Sequence, residues 1–130
     1  MPDISPLAVG AATLAAFLIG GAYYAVLGGR LARGSTAPET APPPAPKMLA
    51  VELGRCLLIA LVVAGLAQEA GIDSVPGGLL LGLALWIGFP LVLWIGAIVH
   101  ERTPLKLAAI HAGDWLIKLP VVGALAAVVG

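Results

Sequence analysis

Ser74-Val-Pro-Gly-Gly-Leu-Leu-Leu-Gly-Leu-Ala-Leu-Trp-Ile-Gly-Phe-Pro-Leu-Val-Leu-Trp-Ile-Gly-Ala-Ile-Val99 contains no charged side chain. A helix crosses a ~30 Å hydrocarbon core with roughly 20 apolar residues, so this stretch is long enough to span once. In lipid the backbone N–H and C=O groups have to pair within the chain, which makes the span a helix. The same reading extends outward. Ile4 to Gly29 is also uncharged and long enough. Met48 to Gln68 spans with Glu52 and Arg55 in its first turns, and Leu105 to Val129 spans while holding His111, Asp114 and Lys118. The expected fold is all-α, a four-transmembrane-helix bundle forming one domain over residues 1–130. Its helices are expected near 5–28, 48–69, 76–99 and 104–129, with short loops except for a Pro-rich linker at 34–47.

Composition agrees. The 130 residues are 60% hydrophobic and only 11% charged, with a mean hydropathy of +1.03. A soluble domain carries about 25% charged residues, so this chain lacks the groups to cover a water-facing surface. Its formal net charge is zero and it has no basic tract, which excludes nucleic acid as an expected partner. The single cysteine, Cys56, rules out an intrachain disulfide, a CxxC motif and a multi-cysteine zinc site; it reads as a small buried apolar residue. Asp3 stands where a signal peptide would carry Lys or Arg, and the first apolar run exceeds an h-region, so the first helix is expected to be retained.

The connections are of two kinds. Ala41 to Pro46 is proline-rich, and proline removes donors and fixes φ, so it is expected to be extended linker: a tether, or alternatively a docking motif. The others are tight. Gly71 suits a helix C-cap, Asp73 or Ser74 suits the next N-cap, and Pro76 suits its first turn. Such short connections predict that helices two to four are antiparallel neighbours. Arg30, Arg33 and Lys47 fall in the first loop and Arg102 in the third, with Arg55 and Lys106 just beyond. The termini and second loop hold Asp3, Glu69 and Asp73 and no Lys or Arg. Positive residues stay inside, so loops one and three are expected in the cytoplasm and both termini outside.

Lipid tails are as apolar as leucine, so such helices associate through close backbone approach and polar contacts. Gly78-x-x-x-Gly82, Gly88, Ala109 and Gly113 are the candidate packing positions, either within the bundle or against another subunit. Pro90 and Pro120 sit inside helices three and four and free the carbonyls of Trp86 and Leu116, so both are expected kinks: bends that improve packing, or alternatively a hinge or a polar cavity wall. Tyr23 and Tyr24 suit an interfacial aromatic belt, and Trp86 suits packing.

The most informative stretch is His111-Ala-Gly-Asp-Trp-Leu-Ile-Lys118. His111, Asp114, Trp115 and Lys118 share an arc of roughly 100° on the helix. Asp114 lies ten residues past Pro104, about 15 Å deep. An isolated charge there costs about 2.5–3.5 kcal/mol on insertion scales. Asp114 and Lys118 stand in the acid-before-base i,i+4 order that pairs best, with His111 expected to donate to Asp114. One reading makes the pair a structural staple facing the bundle, together with Glu52 and Arg55. The other makes His111 and Asp114 part of a proton relay or ligand site, because intramembrane ionisable groups mark pathways. Glu52 and Arg55 alternatively form a snorkelling pair at the interface.

Three pieces of this sequence resemble domain-of-unknown-function family 1761, a group of small four-helix bacterial membrane proteins. Gly78-x-x-x-Gly82-x-x-x-Trp86-Ile-Gly-Phe89 is similar to the family's third helix. Glu101-Arg-Thr-Pro-Leu-Lys106 resembles its charged turn, and His111-x-Gly-Asp-Trp-Leu116 its last helix. Where family members tend to have Trp-Tyr-Ser-Pro and then Phe-Gly, this chain has Tyr23-Tyr24-Ala25-Val26-Leu27-Gly28, keeping the aromatic pair and losing the Ser-Pro. The resemblance implies the bacterial inner membrane and brings no reaction, cofactor or catalytic residue.

No nucleophile–base constellation, phosphate loop or metal-ligand cluster stands out, so the chain reads as a non-enzyme without a cofactor. The first expectation is an accessory or structural subunit, a homo-oligomer or part of a larger membrane assembly. The alternative is a small, dimeric, proton-coupled carrier using His111, Asp114 and Lys118.

Overall fold

The computed structural model describes residues 4–34 and 46–129. Four helices account for nearly all of them: α1 (Pro6–Gly34), α2 (Pro46–Glu69), α3 (Val75–Glu101) and α4 (Leu105–Val128). Each is long and apolar enough to cross a membrane, and no strand occurs among the described residues. This is an all-α, multi-pass membrane architecture. Leucine, isoleucine, valine and phenylalanine side chains cover the outside of every helix, Leu7, Leu80, Phe89 and Leu93 among the most open, as a hydrocarbon solvent asks.

Local chemistry sets the ends. Ser5 accepts from the Ala8 amide at 3.2 Å at the start of α1. Of the two cap candidates for α3 it is Ser74 that accepts, from the Gly77 amide at 3.1 Å, with proline in the first turn. Gly71 takes the left-handed conformation, φ 67°, that closes α2. Arg102 does the same for α3, φ 56°, without glycine's freedom. Helix α1 runs to Gly34, six residues beyond the expected end, so Arg30 and Arg33 lie in its last turns rather than in a loop. Most of the proline-rich linker, residues 35–45, lies outside the described residues.

Pro90 does not simply bend α3. Residues Ile87–Leu91 form a π-helical turn between two α-helical stretches, Val75–Trp86 and Val92–Glu101. A proline ring clashes with the carbonyl four residues earlier, and a wider π turn relieves that clash without ending the helix. Helix α4 instead stays α-helical through Pro120.

Helix α4 is the centre of the bundle. On one side it joins α1 and α2 in a core of small side chains: Ala12 and Ala16, Cys56, Ala60 and Val63, Leu119 and Val122. On its other side it takes α3 along a glycine seam. A Cβ on Gly78 would strike the Gly123 and Ala124 backbone; one on Gly82 would strike Leu119 and Pro120, and one on Gly123 would strike Gly78. Two expected packing positions fall elsewhere. Gly88 has open space around it, because six residues after Gly82 place it about 120° off the seam. Ala109 is exposed, and its neighbours Ala108 and Ala112 face the core instead. Helices α2 and α3, expected as packed neighbours, touch little. The seam commits α3 to the far side of α4, and a groove of about 740 Å³ lies between α2 and α3.

Candidate functional site

A charged side chain in hydrocarbon needs a partner, and the structure supplies a chain of them. Nζ of Lys118 lies 2.7 Å from Oδ2 of Asp114, one turn earlier on α4. The same Nζ lies 3.8 Å from Oε1 of Glu52 on α2. Oε2 of Glu52 accepts from Arg55 at 2.7 Å. Two acids and two bases therefore alternate, Asp114–Lys118–Glu52–Arg55, and the array is formally neutral.

Burial grades along it. Asp114 and Lys118 are 2% and 1% exposed, whereas the Arg55 side chain is 56% exposed. Lys118 fits because α1 carries glycine where its head arrives: a Cβ on Gly20 would stand 2.8 Å from Nζ. Its ammonium also sits 4.6 Å from the centre of the Trp115 ring, within cation–π range. Oδ1 of Asp114 is buried and has no hydrogen-bond partner among the described residues.

His111 is oriented by other helices. Its Nδ1 shares a hydrogen bond with the Tyr24 hydroxyl of α1, and Trp94 of α3 stacks on its ring at 5.1 Å and 9°. The expected donation from His111 to Asp114 is replaced by this Tyr24 contact. Neighbouring Tyr23 donates to the Ile110 carbonyl at 2.6 Å, and Trp86 donates to the Ala112 carbonyl at 2.8 Å. Aromatic donors from α1 and α3 thus clamp the α4 backbone from two helices just before the charged turn. Each hydroxyl bond contributes about 1 kcal/mol, so Tyr24→Phe is expected to lower stability by that amount, read as a modest drop in thermal-unfolding midpoint in detergent.

All four helices line one cavity of about 560 Å³ over this array. Gly20 and Tyr24 come from α1, Glu52 and Arg55 from α2, Trp94 from α3, and His111, Asp114, Trp115 and Lys118 from α4. The candidates on α2 and α4 therefore meet in one place. Tyr24, Trp94 and Gly20 complete it and are not apparent from the charge pattern. Their signal in the sequence is chemical: a tyrosine hydroxyl inside a span needs an acceptor, and a long cation needs an opposing small residue.

Among the described residues no three of His, Cys, Asp and Glu converge to hold a metal ion. What the array can do is exchange partners. One cation stands between two carboxylates, and a tyrosine–histidine hydrogen bond lies beside it.

No curated protein and no solved structure matches this sequence. The sequence model of the family described as protein of unknown function (DUF1761) matches residues 7–127, which take in the charge array and nearly the whole of the four helices, and the chain belongs to that family.

Proposed function

We propose that this protein is a non-enzymatic, proton-coupled carrier of the bacterial inner membrane, working through the cavity over Asp114, Lys118 and Glu52. Both termini lie outside, and connections one and three lie in the cytoplasm. The observation that carries the reading is the position of Lys118 between two carboxylates, tight to Asp114 at 2.7 Å and loose to Glu52 at 3.8 Å. A structural staple that takes in Glu52 and Arg55 makes the same contacts but gives no use to the cavity beside them or to the unpartnered Oδ1. The contact to Glu52 gives Lys118 somewhere to go when a proton or a ligand takes Asp114, and Glu52 then loosens its hold on Arg55. The cavity beside the array and the unpartnered Oδ1 of Asp114 support the same reading. Tyr24 and His111 supply a hydrogen bond whose proton either partner can hold. Four helices enclose little aqueous space, so the working unit is a homodimer.

Proton flux through the site tests this without a known solute. Purified protein in lipid vesicles with a trapped pH-sensitive dye is expected to speed the decay of an imposed pH gradient relative to protein-free vesicles. Asp114→Asn keeps the shape and an acceptor but cannot release a proton. It is expected to return the rate, per folded protein, to the protein-free value, and to lower the thermal midpoint as well because Lys118 loses its close partner. A parent protein that adds nothing, or a variant that conducts like it, removes the carrier reading.

A second reading, an accessory subunit, draws on the outer face of α3. Gly88 and Gly96 both face open space there, and exposed glycines in lipid allow another helix to approach closely. Native mass spectrometry after gentle extraction separates the two: a fixed-stoichiometry complex with other chains favours the subunit, and a dimer alone favours the carrier.

A further inference from the structure

The cavity over the charge array does not stand alone. Arg55, Trp94 and Trp115 line both it and the groove between α2 and α3. The groove is walled by Leu58, Val62 and Leu66 of α2 and by Phe89, Leu93 and Ala97 of α3, and Glu101 stands among its lining residues. Its wall includes the π turn at Pro90, a feature frequent at functional sites. A polar chamber and an apolar trough thus share one wall, which is the shape of a site for a molecule with a charged head and a long apolar tail.

The sign of the head follows from what is already paired. Among the described residues, Glu52 and Asp114 face Arg55 and Lys118 in the polar chamber, and Glu101 in the groove adds a third carboxylate. Both cations are engaged, Arg55 with Glu52 and Lys118 with Asp114. Glu101 makes no ion pair among the described residues, and the buried Oδ1 of Asp114 lacks a donor. The unused capacity is therefore acceptor capacity. Trp94 and Trp115, the shared wall, add ring faces that attract a cation. An anionic head would find both cations of the chamber already engaged and would have to pass Glu101 in the groove.

We propose that the joined cavity and groove bind a cationic amphiphile, an alkylammonium-type molecule whose head enters the polar chamber beside Asp114 and whose tail lies between α2 and α3. This names the ligand class for the carrier site and rests on that site's being open to ligands. The head donates to Oδ1 of Asp114 and competes with Lys118 for the carboxylate, which moves Lys118 toward Glu52. The tail reaches the groove sideways from the bilayer.

The test uses the full chain in lipid nanodiscs, with tryptophan fluorescence as the readout and empty nanodiscs as the partition control. The probes are dodecylammonium, dodecanoate and ethylammonium. Dodecylammonium is expected to give a saturable change at a concentration about tenfold lower than either of the others, since roughly 1.4 kcal/mol of head or tail preference gives that factor. Ala97→Phe, which fills the groove away from the charges, is expected to weaken dodecylammonium about tenfold on the same basis and to leave ethylammonium unchanged. Glu101→Gln is expected to narrow the preference over dodecanoate. Equal or tighter binding of dodecanoate overturns the sign of the head, and equal binding of ethylammonium, or no effect of Ala97→Phe, overturns the groove. Proton flux with no dodecylammonium binding overturns the ligand class and leaves the carrier standing; binding without flux does the reverse.

Discussion

Gly82→Val is expected to detach α3 from the rest of the protein. The atoms a Cβ would meet at Gly82 all belong to the α4 backbone, at Leu119 and Pro120. Overpacking ordinarily costs about 1–3 kcal/mol because neighbouring side chains give way. Here the neighbour is a helix backbone that cannot change rotamer, so the helices themselves have to separate. Helix α3 has no alternative hold: it touches α2 little, and its main partner is α4. A loss of about 3 kcal/mol or more, at the upper end of that range, is therefore expected, with the midpoint of unfolding in SDS titration falling accordingly. Gly96→Val is the control. It adds the same side chain to the same helix where nothing lies within reach, and a substitution at such a site stays within about 0.5 kcal/mol. Equal midpoints for the two variants would mean that the seam does not hold α3.

The contrast between these glycines shows what the sequence could and could not reveal. That four stretches cross a membrane is legible because lipid excludes charge, and the 26 residues between Asp73 and His100 carry none over a length sufficient to cross once. The cap at Ser74 is legible because hydroxyl, proline and spacing act locally. Which glycines pack is not legible, because Gly78, Gly82 and Gly88 are chemically alike and differ only in whether α4 passes by. The splay of α2 from α3 follows from that same choice of partner, against the expectation raised by their short connection. The Asp114–Lys118 pair is legible since both residues lie on one helix at i,i+4. The Tyr24–His111 contact joins residues 87 positions apart, and no pattern in either helix alone signals it. Helix periodicity places His111 on the stripe of Asp114 but cannot say that a ring on α1 takes its nitrogen. Nor does proline in a span distinguish the π turn at Pro90 from the regular helix at Pro120.

Lys118→Met carries the other large expected effect. It leaves the Asp114 carboxylate 2% exposed with its closest cation gone, and removing one member of a buried pair costs about 3–5 kcal/mol. The double variant Lys118→Met/Asp114→Leu removes both charges; methionine matches lysine in volume, and the larger leucine has the cavity that Asp114 lines to extend into. Replacing a buried pair by apolar groups is often neutral, so the double variant is expected to recover most of the loss. Glu52→Gln should do far less, about 1 kcal/mol or below, because Glu52 is more open and stands 3.8 Å from Lys118. The three variants form a test by SDS-titrated unfolding, with the double variant deciding it. If it is no more stable than Lys118→Met, the loss does not come from leaving Asp114 without a cation, and neutralising Asp114 is not what the lysine contributes. If it recovers, the pair is not required for folding, and its place in the middle of a span has to come from function. That folded but uncharged double variant is then the sharpest specimen for the proton-flux measurement. A protein that keeps its fold and loses its flux separates the two readings of the α4 stripe, since a staple can be replaced by leucine and methionine and a proton site cannot.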